Sequence, residues 1–146
     1  MCIRDRINLV RKTDKPLFVK FSSDADYVVL KELTDICLNH RVDGFICSNT
    51  SSNRINLKTE LHELTTIGKG GLSGKPVKKA SLKNVELVRS FAPNSVVIGV
   101  GGISSAEDAI DYLKAGADLI QVYTGLIYEG PSLVKRIQTK LIEYFN

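Results

Sequence analysis

The stretch richest in chemical potential is Gly99–Ser105, "GVGGISS". It stands where an apolar run, "SVVI", ends and an acidic, helix-like segment, "SAEDA", begins. A tight turn from strand to helix needs one glycine; three suggest that something approaches the backbone closely. A dinucleotide fingerprint is one candidate. Gly99 and Gly101 fit it, but Ser104 takes the place of the third glycine. The motif also follows the third apolar run instead of the first, and Asp118 opens the next run instead of closing it, so this reading is rejected. A phosphate cradle fits better. Gly101 and Gly102 would let backbone N–H groups face an anion, and Ser104 or Ser105 would cap a helix whose N-terminus favours negative charge. The turn Tyr123-Thr124-Gly125 would add a second set of donors. The plainer alternative is that the glycines serve the turn alone.

Elements must exist to place these residues. Four short apolar runs, Pro16–Phe21, Val42–Cys47, Ser95–Val100 and Ala117–Tyr123, are rich in Val, Ile, Leu or Phe and too short for helices. They predict strands of a parallel sheet, buried on both faces. Helical periodicity lies between and after them. Val28–His40 places Leu30, Leu33, Ile36 and Cys37 on one face; Ser81–Phe91 does so with Leu82, Val85 and Val88. Ser105–Ala115 has a serine cap, an acidic first turn and Gly116 after its end; Pro131–Phe145 is a longer amphipathic helix. The order is β-α-β-α-β-α-β-α, which calls for parallel strands with crossover helices. Strand ends rich in small or hydroxylated residues recur in "GFICSNTSS", "VIGVGGISS" and "LIQVYTGLIYEG", as expected where a β/α barrel carries its site. A full barrel takes about 250 residues, so four units amount to half of one. The thirty residues Ser51–Ala80 form a long connection, a length usual for functional loops.

The totals narrow the function. The chain has 146 residues, 43% apolar and 25% charged, with net charge +4. That is one globular domain, mildly suited to anionic ligands. No Lys/Arg block is interleaved with aromatics, so nucleic acid is not the expected partner. Cys2, Cys37 and Cys47 form no C-x-x-C, and with His40 and His62 they give no zinc spacing. A reducing compartment is the straightforward reading, and no signal peptide or membrane-spanning run is visible. The opening "MCIRDR", residues 1–6, does not read as the natural start of a fold and is expected to mark a truncation or assembly junction.

Taken together, "VKFSSD", "SNT", "GGLSGKP", "IGVGGISSAEDA" and "QVYTGLIYEGPSLVKRI" resemble, in order and spacing, the C-terminal half of dihydroorotate dehydrogenase. The resemblance spans residues 7–146 and points to the class 2, quinone-reducing branch, which "GGLSGKP" and "VYTG…YEGP" favour. It implies an α/β fold that is the C-terminal half of a TIM (β/α)8 barrel, four parallel β/α units, with FMN held at the strand C-termini. It implies oxidation of dihydroorotate to orotate in pyrimidine synthesis, with electrons passed to quinone.

By this resemblance Lys20 contacts the flavin ring, where a cation would stabilise the reduced form; otherwise it is a snorkelling lysine at a sheet edge. Ser48 stands where the family has a flavin-contacting threonine. Asn49 and Thr50 match the pair that hydrogen-bonds the substrate, although "SNTSSN" would suit any loop. Ser73 and Gly74 match a flavin-contacting turn; Gly101, Gly102, Tyr123 and Thr124 match the phosphate-binding positions. Ser22-Ser23 replaces the family's Ala-Pro, which predicts a less rigid loop. No serine here matches the catalytic base. That base, further substrate contacts, and the quinone and membrane contacts are expected in an N-terminal half. The intact protein is expected peripherally on a membrane, the bacterial inner membrane on its cytoplasmic side or the mitochondrial inner membrane. This chain alone is expected to be inactive and to be soluble or self-associating through bare strand edges. The alternatives are a phosphate-binding β/α-barrel lyase or isomerase without flavin, and a non-catalytic FMN- or phosphate-binding remnant.

Overall fold

The computed structural model describes residues 3–10, 14–55 and 57–146. Each of the four apolar runs yields a strand, shorter than the run itself: β1 (Phe18–Phe21), β2 (Gly44–Cys47), β3 (Val96–Val100) and β4 (Leu119–Gln121). They form one parallel sheet in the order β1-β2-β3-β4. The helices are α1 (Ile3–Val10), α2 (Tyr27–Asn39), α3 (Leu61–Ile67), α4 (Lys78–Phe91), α5 (Ala106–Lys114), α6 (Thr124–Glu129) and α7 (Ser132–Phe145). No described helix is long and apolar enough to cross a membrane.

Local chemistry explains the helix ends. Asp26 caps α2 by accepting from the Val29 N–H at 2.9 Å. Ser105 caps α5 in a reciprocal capping box with Asp108. Gly116 follows α5 with φ +104°, the left-handed conformation that ends helices. Of "MCIRDR", Met1 and Cys2 lie outside the described residues; from Ile3 the segment is helical, and Ile7 is buried.

Strands laid down in sequence order with right-handed crossovers put their helices on one side. The sheet therefore has two unlike faces. Side chains alternate along a strand, and parallel register aligns them across the sheet. One face carries Phe21, Phe45, Cys47 and Val97, all buried under the helices with Leu30, Cys37, Val85, Val88, Tyr112 and Leu133. Phe21 and Phe45 stack at 5.3 Å between centroids. Cys37 and Cys47 are free, buried thiols within this layer, and burial pushes them up to about 11 and about 12. The other face carries Lys20, Ile46 and Ile98 in one register row with Leu119, then Val100 and Gln121. Here Val96 is 38% and Leu119 57% exposed. The expectation of strands buried on both faces is thus corrected, because the helices cover one side only. Among the described residues the outer strands β1 and β4 each have a single neighbour.

The strand starts are stapled by polar contacts. Arg89 donates to the carbonyl oxygens of Gly116, Pro93 and Ser95 and pairs with Asp118 at 2.6 Å. Asp118 also accepts from the Val97 N–H. Its role at the start of β4 is structural, in keeping with the rejected dinucleotide reading.

Candidate functional site

The strand C-termini open into one cleft. Lys20 is the third residue of β1; Ser48, Gly101 and Tyr123 stand just past the ends of β2, β3 and β4. The cleft is lined by Lys20, Ser48, Asn49, Thr50, Ser73, Gly74, Gly101, Gly102, Tyr123 and Thr124, the ten positions to which the family resemblance gives a cofactor or substrate contact. Val77, Val100, Ile103, Gln121 and Gly125 complete its wall. None of the described lining residues is acidic, and Lys20 is cationic, so an anion meets no like charge there.

The segment after β2 is held between its neighbours. The Ser48 N–H donates to the Val100 oxygen at 2.8 Å, and the Asn49 N–H to the Phe21 oxygen at 2.7 Å. Ser48 is buried, and its hydroxyl accepts from Asn84 Nδ2 at 3.1 Å. The same Asn84 amide donates to the Ser22 oxygen at 3.0 Å. The Asn49 amide oxygen takes the Thr50 N–H at 2.9 Å, which leaves its NH2 end for a ligand.

The long connection returns to the cleft by backbone pairing. Ser51 and Leu72 exchange N–H···O bonds at 3.0 and 2.7 Å. Gly71 lies so close to Thr50 that a Cβ there would sit 2.0 Å from the Thr50 hydroxyl. Arg54 ties the loop across itself, donating to the Leu64 and Gly70 oxygens. The connection is not structureless: it contains α3 and a 3-10 turn at Lys75–Val77, and α4 begins at Lys78, three residues before the helix expected at Ser81. Those elements escaped the sequence reading because α3 buries no residue and so carries no apolar stripe.

Opposite, Asp24 holds Ser51 and Ser52. Its carboxylate accepts from the Ser51 hydroxyl, from the Ser52 N–H at 2.7 Å and from the Ser52 hydroxyl at 2.8 Å. The Ser51 bond above all holds its carboxyl below the usual aspartate value. The Ser22-Ser23 loop, expected to be less rigid, is pinned by Asn84 on one side and by Asp24 on the other.

The three glycines of the β3–α5 turn have three separate reasons, all within the protein. At Gly99 a Cβ would lie 2.4 Å from Tyr112 Cδ1. Gly101 has φ +130°, and its Cβ would lie 2.5 Å from Ser81 Oγ. Gly102 has φ +69°, and its Cβ would meet Lys78 Cβ at 2.7 Å and the Gly74 oxygen at 2.9 Å. The close approach inferred from sequence is real, but side chains of α4 and α5 and the Gly74 turn make it. Gly125, the last residue of the second donor turn, belongs to the same cluster, since its Cβ would lie 2.0 Å from the Ile103 oxygen. Thr124 Oγ1 donates to Ser73 Oγ at 3.0 Å, so the turns at residues 73–74, 101–102 and 123–125 meet at one corner.

The N-terminus of α5 corrects a second expectation. Asp108 already accepts the Ser104 and Ser105 N–H groups, at 2.8 and 3.0 Å. It pairs in turn with Lys78, which also reaches Asp111 at 2.8 Å. The Ser104 and Ser105 donors are thereby taken by the helix's own carboxylate and are unavailable to a ligand. The Gly101-Gly102 and Tyr123–Gly125 turns remain as lining of this corner.

Two residues missed in the sequence had a signal there. Asn84 sits with Ser81, Val85 and Val88 on the buried stripe of α4, and an amide at a core position advertises a buried partner. Gln121 interrupts an apolar strand on the face that carries Lys20.

Comparison with known proteins matches residues 4–145 to the dihydroorotate dehydrogenase family. A protein named dihydroorotate dehydrogenase (quinone), from Christiangramia forsetii, is 42% identical over 141 residues, 93% of this chain and 39% of that protein. A mitochondrial protein of the same name from Candida glabrata is 40% identical over 130 residues, 88% of this chain and 30% of its own length. The crystal structure of DHODH from Eimeria tenella in complex with ferulenol superposes with a TM-score of 0.80 at 32% identity, covering 92% of this chain and 35% of that one. The chain thus spans less than half the length of the relatives it matches. On its sequence, its sheet and the match across nearly all of its residues, the chain belongs to the dihydroorotate dehydrogenase family.

Proposed function

We propose that this chain is the C-terminal half of a quinone-dependent dihydroorotate dehydrogenase and that its cleft holds FMN. The observation that carries the reading is the convergence of "SNT", "GGLSGKP" and both glycine turns, distant in sequence, on one cleft with no acidic side chain among its described lining. The donor set suits the cofactor: hydroxyls and amides near the strand ends, a cation on the open face and backbone turns at the corner. Bound FMN supplies two-electron chemistry between dihydroorotate and a quinone.

In this reading Lys20 lies where its charge favours electron density on the flavin ring, and it has no carboxylate partner among the described residues to compete. Ser48 and the Ser73-Gly74 turn hold the ring system. Asn49 presents its NH2 to dihydroorotate, and Thr50 orients the same polar ring; a few placed polar side chains of this kind fix a ligand's orientation. Gly101, Gly102, Tyr123 and Thr124 hold the phosphate. The catalytic base, quinone access and peripheral membrane contact are assigned to the part of the relatives' length that this chain does not span.

The test is titration of FMN into the purified chain, followed by flavin fluorescence, with riboflavin and inorganic phosphate as separate ligands. FMN should saturate, riboflavin should bind more weakly, and phosphate should compete. Supplying the remaining segment of the Christiangramia forsetii relative as a second polypeptide should then restore dihydroorotate-driven bleaching of the flavin. Saturable binding of sugar phosphates with none of FMN would overturn the proposal in favour of a non-flavin phosphate barrel.

A further inference from the structure

Tyr112 is the largest of the completely enclosed side chains, and it lines no part of the cleft. It descends from α5 onto Gly99, whose missing side chain makes room for its ring. Its hydroxyl donates to the Gly101 carbonyl oxygen at 2.5 Å. Burial keeps this phenol protonated far above its ordinary range, so it remains a donor at any working pH. Among the described residues no other group donates to that carbonyl.

The carbonyl of Gly101 and the N–H of Gly102 belong to one trans peptide unit and point in opposite directions. Tyr112 comes from the helix layer behind the sheet. Drawing the carbonyl toward that layer turns the Gly102 N–H the other way, toward the cleft that Gly102 lines. The choice needs enforcing. A peptide between two glycines has little steric preference for either orientation. Flipped, it would present an oxygen with partial negative charge where an anion is to be held.

We propose that Tyr112 is a positioning residue for the anion corner of the cleft: its hydroxyl locks the Gly101–Gly102 peptide with the N–H outward, to receive a phosphate monoester. The inference rests on the phosphate reading given above. It explains why an amphipathic helix with aliphatic core positions places a tyrosine over a glycine. Phenylalanine would fill the same space, and only the hydroxyl reaches the turn.

The variant Tyr112→Phe keeps the ring and removes the hydroxyl. Calorimetric titration of the 146-residue chain with inorganic phosphate and with FMN, at a temperature where each variant is folded, reads the effect. Loss of one oriented donor should raise both dissociation constants about fivefold or more. Leu133→Ala, which opens a cavity in the same core away from the cleft, is the control; it should lower the urea midpoint at least as much and leave both constants unchanged. Unchanged constants in Tyr112→Phe overturn the inference. An equal loss in Leu133→Ala also overturns it, because general loosening would then account for the effect. If the unaltered chain binds neither phosphate nor FMN, the phosphate reading itself fails, and the assignment of Tyr112 falls with it.

Discussion

Thr124 Oγ1 donates to Ser73 Oγ at 3.0 Å, joining the turn after β4 to the returning end of the connection between β2 and α4. The two residues are 51 positions apart, yet both line the cleft. Each hydroxyl can bind a ligand, and each also orients the other. Ser73→Ala and Thr124→Val should each weaken FMN binding. The double variant should lose less than the sum, with a coupling of about 0.5–1.5 kcal/mol, the usual net value of a neutral hydrogen bond. A double-mutant cycle on FMN affinity checks this. Strict additivity would mean that the two turns act independently.

Asn84 is 3% exposed and donates to both the Ser22 carbonyl and the Ser48 hydroxyl. Asn84→Ala would leave both acceptors buried without their donor. A destabilisation of about 2–3 kcal/mol is expected, seen as a lower urea midpoint with an unchanged slope. Asn84→Leu should do no better, since volume is restored but the donors are not. A variant as stable as the parent would show that solvent replaces the amide.

Two carboxylates make acid stability predictable in sign. Asp24 is held below 3.8, chiefly by the Ser51 hydroxyl. For Asp108 burial pulls upward, but the Lys78 pair and the Ser104 bonds outweigh it, and the net direction is also down. Between the folded and unfolded values the unfolded chain binds more protons, so stability rises with pH there. The contribution is complete above about pH 4–5 and is lost as pH falls through the folded values. Thermal midpoints should therefore fall steeply below pH 4, and Asp108→Asn should flatten that fall while lowering the midpoint at neutral pH. A midpoint independent of acid in the parent chain would contradict both assignments.

The bare sheet face predicts association. Leu119 and Val96 lie on it exposed, and β1 and β4 each present one unpaired edge. Exposed apolar faces and open edges favour pairing with another chain. Sedimentation of the isolated chain at micromolar concentration should show dimers or larger species. Leu119→Lys, which places a charge on that face, should shift the distribution toward monomer. A clean monomer before any substitution would refute the expectation.

Much of this molecule was legible in its residues. Apolar runs of strand length, separated by amphipathic helices with recognisable caps, specify parallel β/α units because burial and hydrogen bonding act locally. The order of "VKFSSD", "SNT", "GGLSGKP", "VGGISS" and "VYTG" pointed to one family and to ten cleft residues. What periodicity could not decide was which side of each strand is covered. An apolar run looks the same whether helices lie on both faces or on one, and the sequential order of strands settles it for Lys20 and Leu119. Nor could spacing tell a glycine kept for a ligand from one kept for a neighbour. Tyr112 over Gly99, Ser81 beside Gly101 and Lys78 beside Gly102 approach from two different helices. The same holds for Asp108, which takes the Ser104 and Ser105 N–H groups ahead of the helix. Steric contact and hydrogen-bond satisfaction between distant segments depend on how helices pack on the sheet, and that information enters only when the chain is folded.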